Sequence, residues 1–421
     1  MRKISIAGCV LFVSLFAQAQ SYNLLIKGGQ VIDPKSSINA VMDIAVVDGK
    51  IVSIAENIDS TGALQVINAR GMYVIPGLID LHTHVFYGTG TDNNYSNGPL
   101  SIVPDGFTFR NGITTVVDAG CSGWRAFTTF KKQVIDMSQT RVLAMLNIVG
   151  EGMRGWPYEQ DTRDMDGKIT ALMAKRYRDY VVGIKVAHYS GNEWTPVEEA
   201  LKAGQLANLP VMIDFGSSNP ALSIEELFMK RLRPGDIFTH CFGQLNNREP
   251  IVDTATKKIK SFVWEAQKKG IVFDVGYGEI SFAFSQAIPA FKNGFFPNSI
   301  SSDIHTGSMN NSMKDLLNIM SKTMAIGMKL EKVIQAATWN PAKEIKHEEL
   351  GNLSVGGIAD IAILSIRNGQ FGFYDYTGYK IQGAQKLECE MTIKAGKIVY
   401  DVNGIAVPLV IPKMQKPLTS K

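Results

Sequence analysis

From Pro76 to Thr338 the chain alternates short apolar runs with helical stretches, and this alternation limits the fold more than any other feature. The runs at 78–84, 113–119, 142–149, 181–187, 210–215, 236–241, 271–276 and 299–303 read as strands. Helical patterns at 196–207, 223–230 and 261–269 fit between them, and those at 313–328 and 331–338 follow the last. Strands separated by helices imply a parallel sheet with crossover helices. Eight such units within 76–349 predict an α/β fold, a (β/α)8 TIM-like barrel.

The flanks have a different texture. Residues 21–72 hold short apolar or alternating runs at 24–26, 43–47 and 51–55, punctuated by Gly28-Gly29 and by a hairpin turn at Asp48-Gly49. Beyond Asn340-Pro341 the same character returns at 360–364, 389–394 and 397–400, with Ala395-Gly396 as a turn. The similarity of the two ends predicts one small composite β-sandwich domain, built from 20–75 and 350–413, with the barrel inserted between its halves.

The first residues read as an export signal. Arg2 and Lys3 precede an apolar run over 4–17, and Ala17-Gln18-Ala19 has the small-x-small form of a cleavage site. A signal peptide over 1–19 sends the mature chain to the periplasm or outside the cell. The apolar run continues past Cys9, which argues against a lipoprotein. No later run is long enough for a membrane-spanning helix, and no membrane partner is expected once the signal is gone. Loss of Cys9 leaves Cys121, Cys241 and Cys389, a set that does not suggest a disulfide framework. A net charge of +4 over 421 residues gives no reason to expect nucleic acid as a partner. A small molecule is the expected partner, and assembly into a homo-oligomer is left open.

In a barrel of this kind, active groups stand at the C-terminal ends of the strands. The first strand ends in His82-Thr83-His84, and alternation points both imidazoles to one side, as half of a divalent-metal site requires. Lys185, Asp214, His240 and Asp303 stand near the ends of strands four, five, six and eight. Each lies within an apolar run, where a charge needs a partner. Two readings fit Lys185. Carbon dioxide can convert its amine into an anionic carbamate able to bridge two metals, or the ammonium can pair with Asp214 or Asp303 as a buried ion pair.

Four segments, Pro76-Gly77-Leu78-Ile79-Asp80-Leu81-His82-Thr83-His84, Gly183-Ile184-Lys185-Val186, Thr239-His240-Cys241-Phe242 and Ser302-Asp303-Ile304-His305, together resemble the amidohydrolase superfamily, and within it the deacetylase/dihydroorotase-type branch. Ala337-Thr338-Trp339-Asn340-Pro341-Ala342 and Gly356-Gly357-Ile358-Ala359-Asp360 resemble the segments that close such barrels. The resemblance implies one or two divalent ions, with zinc the expected metal. It implies that His82, His84, carboxylated Lys185 and Asp303 hold the first ion, and that Lys185, Asp214 and His240 hold the second. It further implies that Asp303 is the general base and acid.

Two positions depart from that pattern. Asp214 stands where such proteins carry histidine on strand five, and Tyr277 stands where the relatives in view carry histidine. A carboxylate can still ligate zinc, and a tyrosine can still donate to a substrate oxygen. Arg154, in the loop 150–161, could bind a substrate carboxylate as a bidentate fork. His305 is placed to orient Asp303 or to touch substrate, whereas alternation turns His188 away from the Lys185 face. The expected activity is metal-dependent hydrolysis of an amide, cyclic amide or acyl ester of a small molecule. The alternative is a non-catalytic or mononuclear barrel that serves as a binding scaffold.

Overall fold

The computed structural model describes residues 22–88, 90, 94–215 and 218–408. The signal segment and Cys9 lie outside the described residues. The chain opens with β1 (Leu24–Asp33), β2 (Ile38–Val47), β3 (Lys50–Ala55), β4 (Val66–Asn68) and β5 (Tyr73–Pro76). The parallel strands follow: β6 (Leu78–Thr83), β7 (Ile113–Gly123), β8 (Arg141–Asn147), β9 (Val181–Tyr189), β10 (Val211–Phe215), β11 (Ile237–Phe238) and β12 (Val272–Phe273). It closes with β13 (Ile361–Tyr374), β14 (Lys380–Lys394) and β15 (Lys397–Asp401).

Strands β6 to β12 form one curled parallel sheet of seven strands, in chain order. Every residue of β6 and β7 is buried, which explains why these segments read as near-continuous apolar runs. The eighth expected strand, 299–303, forms no ladder of its own. It still lies between the two edges of the sheet, joined to β12's side by Val275 N–H to Ser299 O and to β6's side by Asp303 N–H to His82 O. Its serines explain the irregularity. Ser299 and Ser301 donate to Asp274, and Ser302 donates to Asp80, so side chains share the bonding that a regular strand leaves to its backbone.

Helices pack outside the sheet as their apolar stripes require. Thr195–Ala207, Ser261–Lys269, Leu316–Ala325 and Leu330–Ala337 fall where the periodicity puts them. Gly167–Arg176 is an addition, started by Asp166, whose carboxylate accepts from the backbone of Lys168 and Ile169.

The two ends of the chain share one sheet, ordered β15-β14-β13-β5-β1-β2-β3, with β4 beside β1. The join is the antiparallel pair β5–β13, from Ile361 opposite Pro76 to Leu364 opposite Tyr73. Where a two-sheet sandwich was expected, the described residues form this one continuous sheet. One of its cores gathers Leu24, Ile26, Val46, Val74, Ile363 and Ile393. The hairpin β13–β14 runs much further than 360–364 and 389–394, because its outer half is mostly polar and lacks an apolar signature. Phe373 and Leu387 on that outer half join the core of the curled sheet, and Leu387 N–H bonds Ser321 Oγ.

Tyr277 belongs to this contact. Its side chain is 1% exposed and stacks on Phe282. Its hydroxyl donates to Tyr374 O at 3.2 Å and accepts from Lys322 Nζ at 2.8 Å. Lys322 also donates to Ser312 O, and burial pulls its pKa down to about 7, against the pull of Asp315 and Asp375. Above pH 7 the folded lysine is neutral, while the unfolded one keeps its proton up to its ordinary value of 10.5. The unfolded state then binds more protons, so this group makes stability rise with pH across that window. Lys322→Met is expected to flatten the rise in melting temperature between pH 7 and 10; an unchanged slope would assign the rise to other groups.

Candidate active site

The C-terminal ends of the parallel strands bring six of the expected residues to one point. His84 Nε2 lies 2.8 Å from Asp303 Oδ1, and His82 Nε2 lies 3.5 Å from the same oxygen. His240 Nε2 lies 3.3 Å from Asp214 Oδ2 and 3.9 Å from Asp303 Oδ2. Lys185 Nζ lies 3.0 Å from His82 Nε2 and 3.8 Å from Asp214 Oδ2. All six are buried.

Local backbone makes this convergence possible. His84 N–H bonds Ile304 O while Asp303 N–H bonds His82 O, so the two segments are laced side by side. His240 and Asp303 take left-handed conformations, with φ of 56° and 51°, at the turns where the chain leaves the sheet. Non-glycine residues rarely adopt that region, and such strain concentrates where side chains must be aimed. Gly276 and Gly278 leave the room: a Cβ on the first would collide with the Thr239 hydroxyl, and one on the second with the Asp303 carboxylate.

The outward nitrogen of each imidazole is occupied. His240 Nδ1 lies 2.5 Å from Gly276 O, an acceptor only, so Nδ1 carries the proton. His82 Nδ1 meets Thr239 Oγ1 at 3.0 Å. The Thr239 hydroxyl donates to Asp274 at 2.7 Å, so it accepts from His82. In its neutral form each ring therefore presents an Nε2 lone pair to the centre. His84 Nδ1 meets the Cys121 sulfur at 3.2 Å. This places Cys121 against the site's outer wall, while Cys241 and Cys389 are free, buried thiols elsewhere.

Burial holds His82 well below its ordinary pKa, with the Lys185 cation adding to the effect, and it lowers His84 as well. Burial also lowers the pKa of Lys185, against the pull of Asp214 and Asp303. For Asp303 burial works against the charge, but His82, His84 and His240 outweigh it and hold the carboxyl well below the usual range. Asp214 is held low in the same way by His240 and Lys185. Neutral imidazoles beside ionised carboxylates are the donor set that a divalent cation needs. His82, His240 and Asp303 alone offer three ligand atoms within 4.8 Å of one another.

A cavity of about 290 Å³ opens onto this cluster. His305 lines it, with Nδ1 on Asp303 O at 2.9 Å. Tyr277 does not, for the reason given above. Arg154 also stands apart: its guanidinium pairs with Glu151 at 3.1 Å and lies over the Tyr158 ring. A loop arginine finds the nearest carboxylate, and no spacing rule says which one. His188 reverses the expectation in the other direction and lines the cavity. Beside it β9 holds an extra residue against β10, between the pairs Val186–Ile213 and Tyr189–Phe215, and His188 has φ of 54°. Such a bulge breaks strict alternation. Loss of some surrounding water disfavours charge on His188, whose side chain is 44% exposed, but Glu159 at 2.7 Å pushes its pKa up to about 9.

Sequence reasoning missed Tyr95, Glu279 and Arg248, which also line the cavity. They sit outside the strands, where no periodicity marks them. Thr239 and Asp274 could have been found, as polar residues inside the apolar runs of strands six and seven.

Residues 282–399 match the amidohydrolase family. A deacetylase of Brucella anthropi is 32% identical over 85% of this chain and 90% of its own length. A deacetylase of Enterococcus faecalis is 31% identical over 90% of this chain and 99% of its own. Among solved structures, an adenine deaminase superposes with a TM-score of 0.81 at 30% identity, covering 90% of this chain and all of that one. A dihydroorotase superposes with a TM-score of 0.77 at 26% identity, covering 90% of this chain and 99% of that one.

Proposed function

Because the chain belongs to the amidohydrolase superfamily, a family of hydrolases acting on carbon–nitrogen bonds, we propose that it is a metal-dependent hydrolase of a small amide, cyclic amide or acyl ester. The observation that carries this reading is the convergence of His82, His84 and His240 on Asp303 and Asp214 in a buried pocket. Removal of an acyl group from an N-acyl amino acid and opening of a cyclic amide are the first two reactions to test.

The residues fit one or two divalent ions, with zinc first among candidates. His82, His84, Asp303 and the Lys185 carbamate would hold the first. Asp214, His240 and the same carbamate would hold the second. A bound ion would polarise the scissile carbonyl and lower the pKa of water. The chain's own groups do the rest. Asp303 takes the proton of the attacking water and returns it to the leaving nitrogen or oxygen. His305 steadies the Asp303 backbone through its carbonyl. The cavity size restricts substrates to small molecules.

In the same reading 76–349 is the catalytic barrel and 20–75 with 350–413 a composite β-domain, supported by the β5–β13 ladder and by a separate core. Residues 1–19 remain, in this reading, a signal for export.

Elemental analysis of full-length mature protein, purified without chelator, tests the metal. Zinc or a similar ion is expected at one or two equivalents. The variant carrying His82→Ala and His84→Ala should lose at least one, since two ligands go together. No metal even after incubation with zinc and bicarbonate would support the scaffold alternative.

A further inference from the structure

Asp214 faces three nitrogen groups with two oxygens. Oδ2 points to His240 at 3.3 Å and Lys185 at 3.8 Å, into the ligand cluster. Oδ1 points the other way, to Arg248 Nη1 at 3.7 Å. Arg248 is 8% exposed, an unusual burial for a guanidinium. Its Nη2 donates to Thr239 O at 2.9 Å, and its plane lies 5.2 Å from the Phe238 ring centre, so the head group is fixed. Nη1 is buried and has no hydrogen-bond partner among the described residues. A buried N–H of a charged group left without an acceptor is costly, so an acceptor is wanted there. Asp214 Oδ1 is the charge that Nη1 faces, less than 1 Å beyond hydrogen-bond reach.

We propose that Arg248 is the positioning residue for Asp214: it claims Oδ1 and so leaves Oδ2 alone to serve the cation in the cluster. The arrangement has two consequences. Asp214 is limited to one-oxygen ligation, because its second oxygen is engaged by Arg248. The cluster also gains a fixed positive charge that offsets an aspartate on strand five whether or not an ion is present. Arg248 is tied to the cluster twice, since the residue it bonds through its backbone, Thr239, orients His82 through its hydroxyl. Arg248 faces Asp214 with or without a metal; that Oδ2 serves an ion rests on the reading of Asp214 under Proposed function.

A mutant cycle on the full chain tests it, with Arg248→Met, Asp214→Asn and the double variant. Zinc affinity is measured by chelator competition after stripping and reloading with bicarbonate, and melting is measured on the stripped proteins. Removing a residue that orients a ligand typically costs about 10–100-fold in metal affinity, which is the loss expected for Arg248→Met at the weaker site. If Arg248 acts through Asp214, the double variant loses little more than Asp214→Asn alone, in affinity and in melting. Arg248→Lys, which keeps the charge without the fork, should recover part of the loss, and its own cycle with Asp214→Asn serves if Arg248→Met does not fold. Independent, additive effects in both readouts would overturn the proposal. Should the wild type bind no zinc at all, the hydrolase reading falls, and the melting cycle of the metal-free proteins still decides this one.

Discussion

Asp303→Asn is expected to lower kcat by about 10²–10⁴, the usual worth of a general acid–base group, with near-native melting. The carboxylate touches every imidazole of the cluster: His84 at 2.8 Å, His82 at 3.5 Å and His240 at 3.9 Å. Among the described residues no other carboxylate does. Asp214 Oδ2 faces His240 alone of the three imidazoles. Asparagine keeps the size and can still accept a bond, but it cannot take a proton from water at neutral pH. It also tolerates the left-handed backbone found here, with φ of 51°, better than most residues. For that reason the fold should survive the change. Metal content should be measured beside kcat, since the same side chain is a proposed ligand. A fall in kcat with the ions still bound isolates proton transfer. An Asp303→Asn enzyme of wild-type rate would move the base elsewhere, and His305, with Nδ1 3.8 Å from Asp303 Oδ1, is next in line.

The legible parts of this chain were those written as pattern. Buried parallel strands need apolar residues on both faces, so β6 to β10 announced themselves. The buried polar cluster was legible for the opposite reason: His82, Lys185, Asp214, His240 and Asp303 are polar residues in places where burial penalises them. The β13–β14 hairpin was hidden because its outer half is mostly polar and is held by a few apolar anchors, such as Phe373 and Leu387. His188 was misplaced because one extra residue in β9 shifts the side chains beyond it. Tyr277 was assigned to substrate because position along a strand gives a side chain's origin, not where a long ring ends. Arg248 carries no sequence signal at all. Its meaning comes from Asp214 and Thr239, which the fold brings to it from separate strands.

Lys185→Ala should strip metal and lower kcat/KM by at least about 100-fold, as a lost ligand does more harm than a lost orienting partner. Lys185 is 0% exposed, and its stem runs so close to Gly120 that a Cβ there would meet Lys185 Cβ at 2.8 Å. Nζ sits among His82 at 3.0 Å, Met212 Sδ at 3.6 Å and Asp214 at 3.8 Å. Asp214 is thus near enough to attract an ammonium but too far for a good hydrogen bond. A bare ammonium there would face an imidazole and a thioether, which compensate it poorly. Burial lowers the lysine's pKa and so favours the neutral amine, the form that attacks carbon dioxide. A bond forms between Nζ and the carbon, one amine proton leaves to solvent, and the product is an anion with two oxygens. In the proposed reading that anion would supply the bridge between two ions. Short carboxylic acids added to Lys185→Ala should restore part of the metal content and rate, by placing a carboxylate in the vacated space. Wild-type protein reloaded in buffer freed of carbon dioxide should take up less zinc than protein reloaded with bicarbonate. Equal uptake in the two buffers, together with a high-resolution map showing a bare amine on Asp214, would establish the ion pair instead and leave the cluster to hold its cation without a bridge.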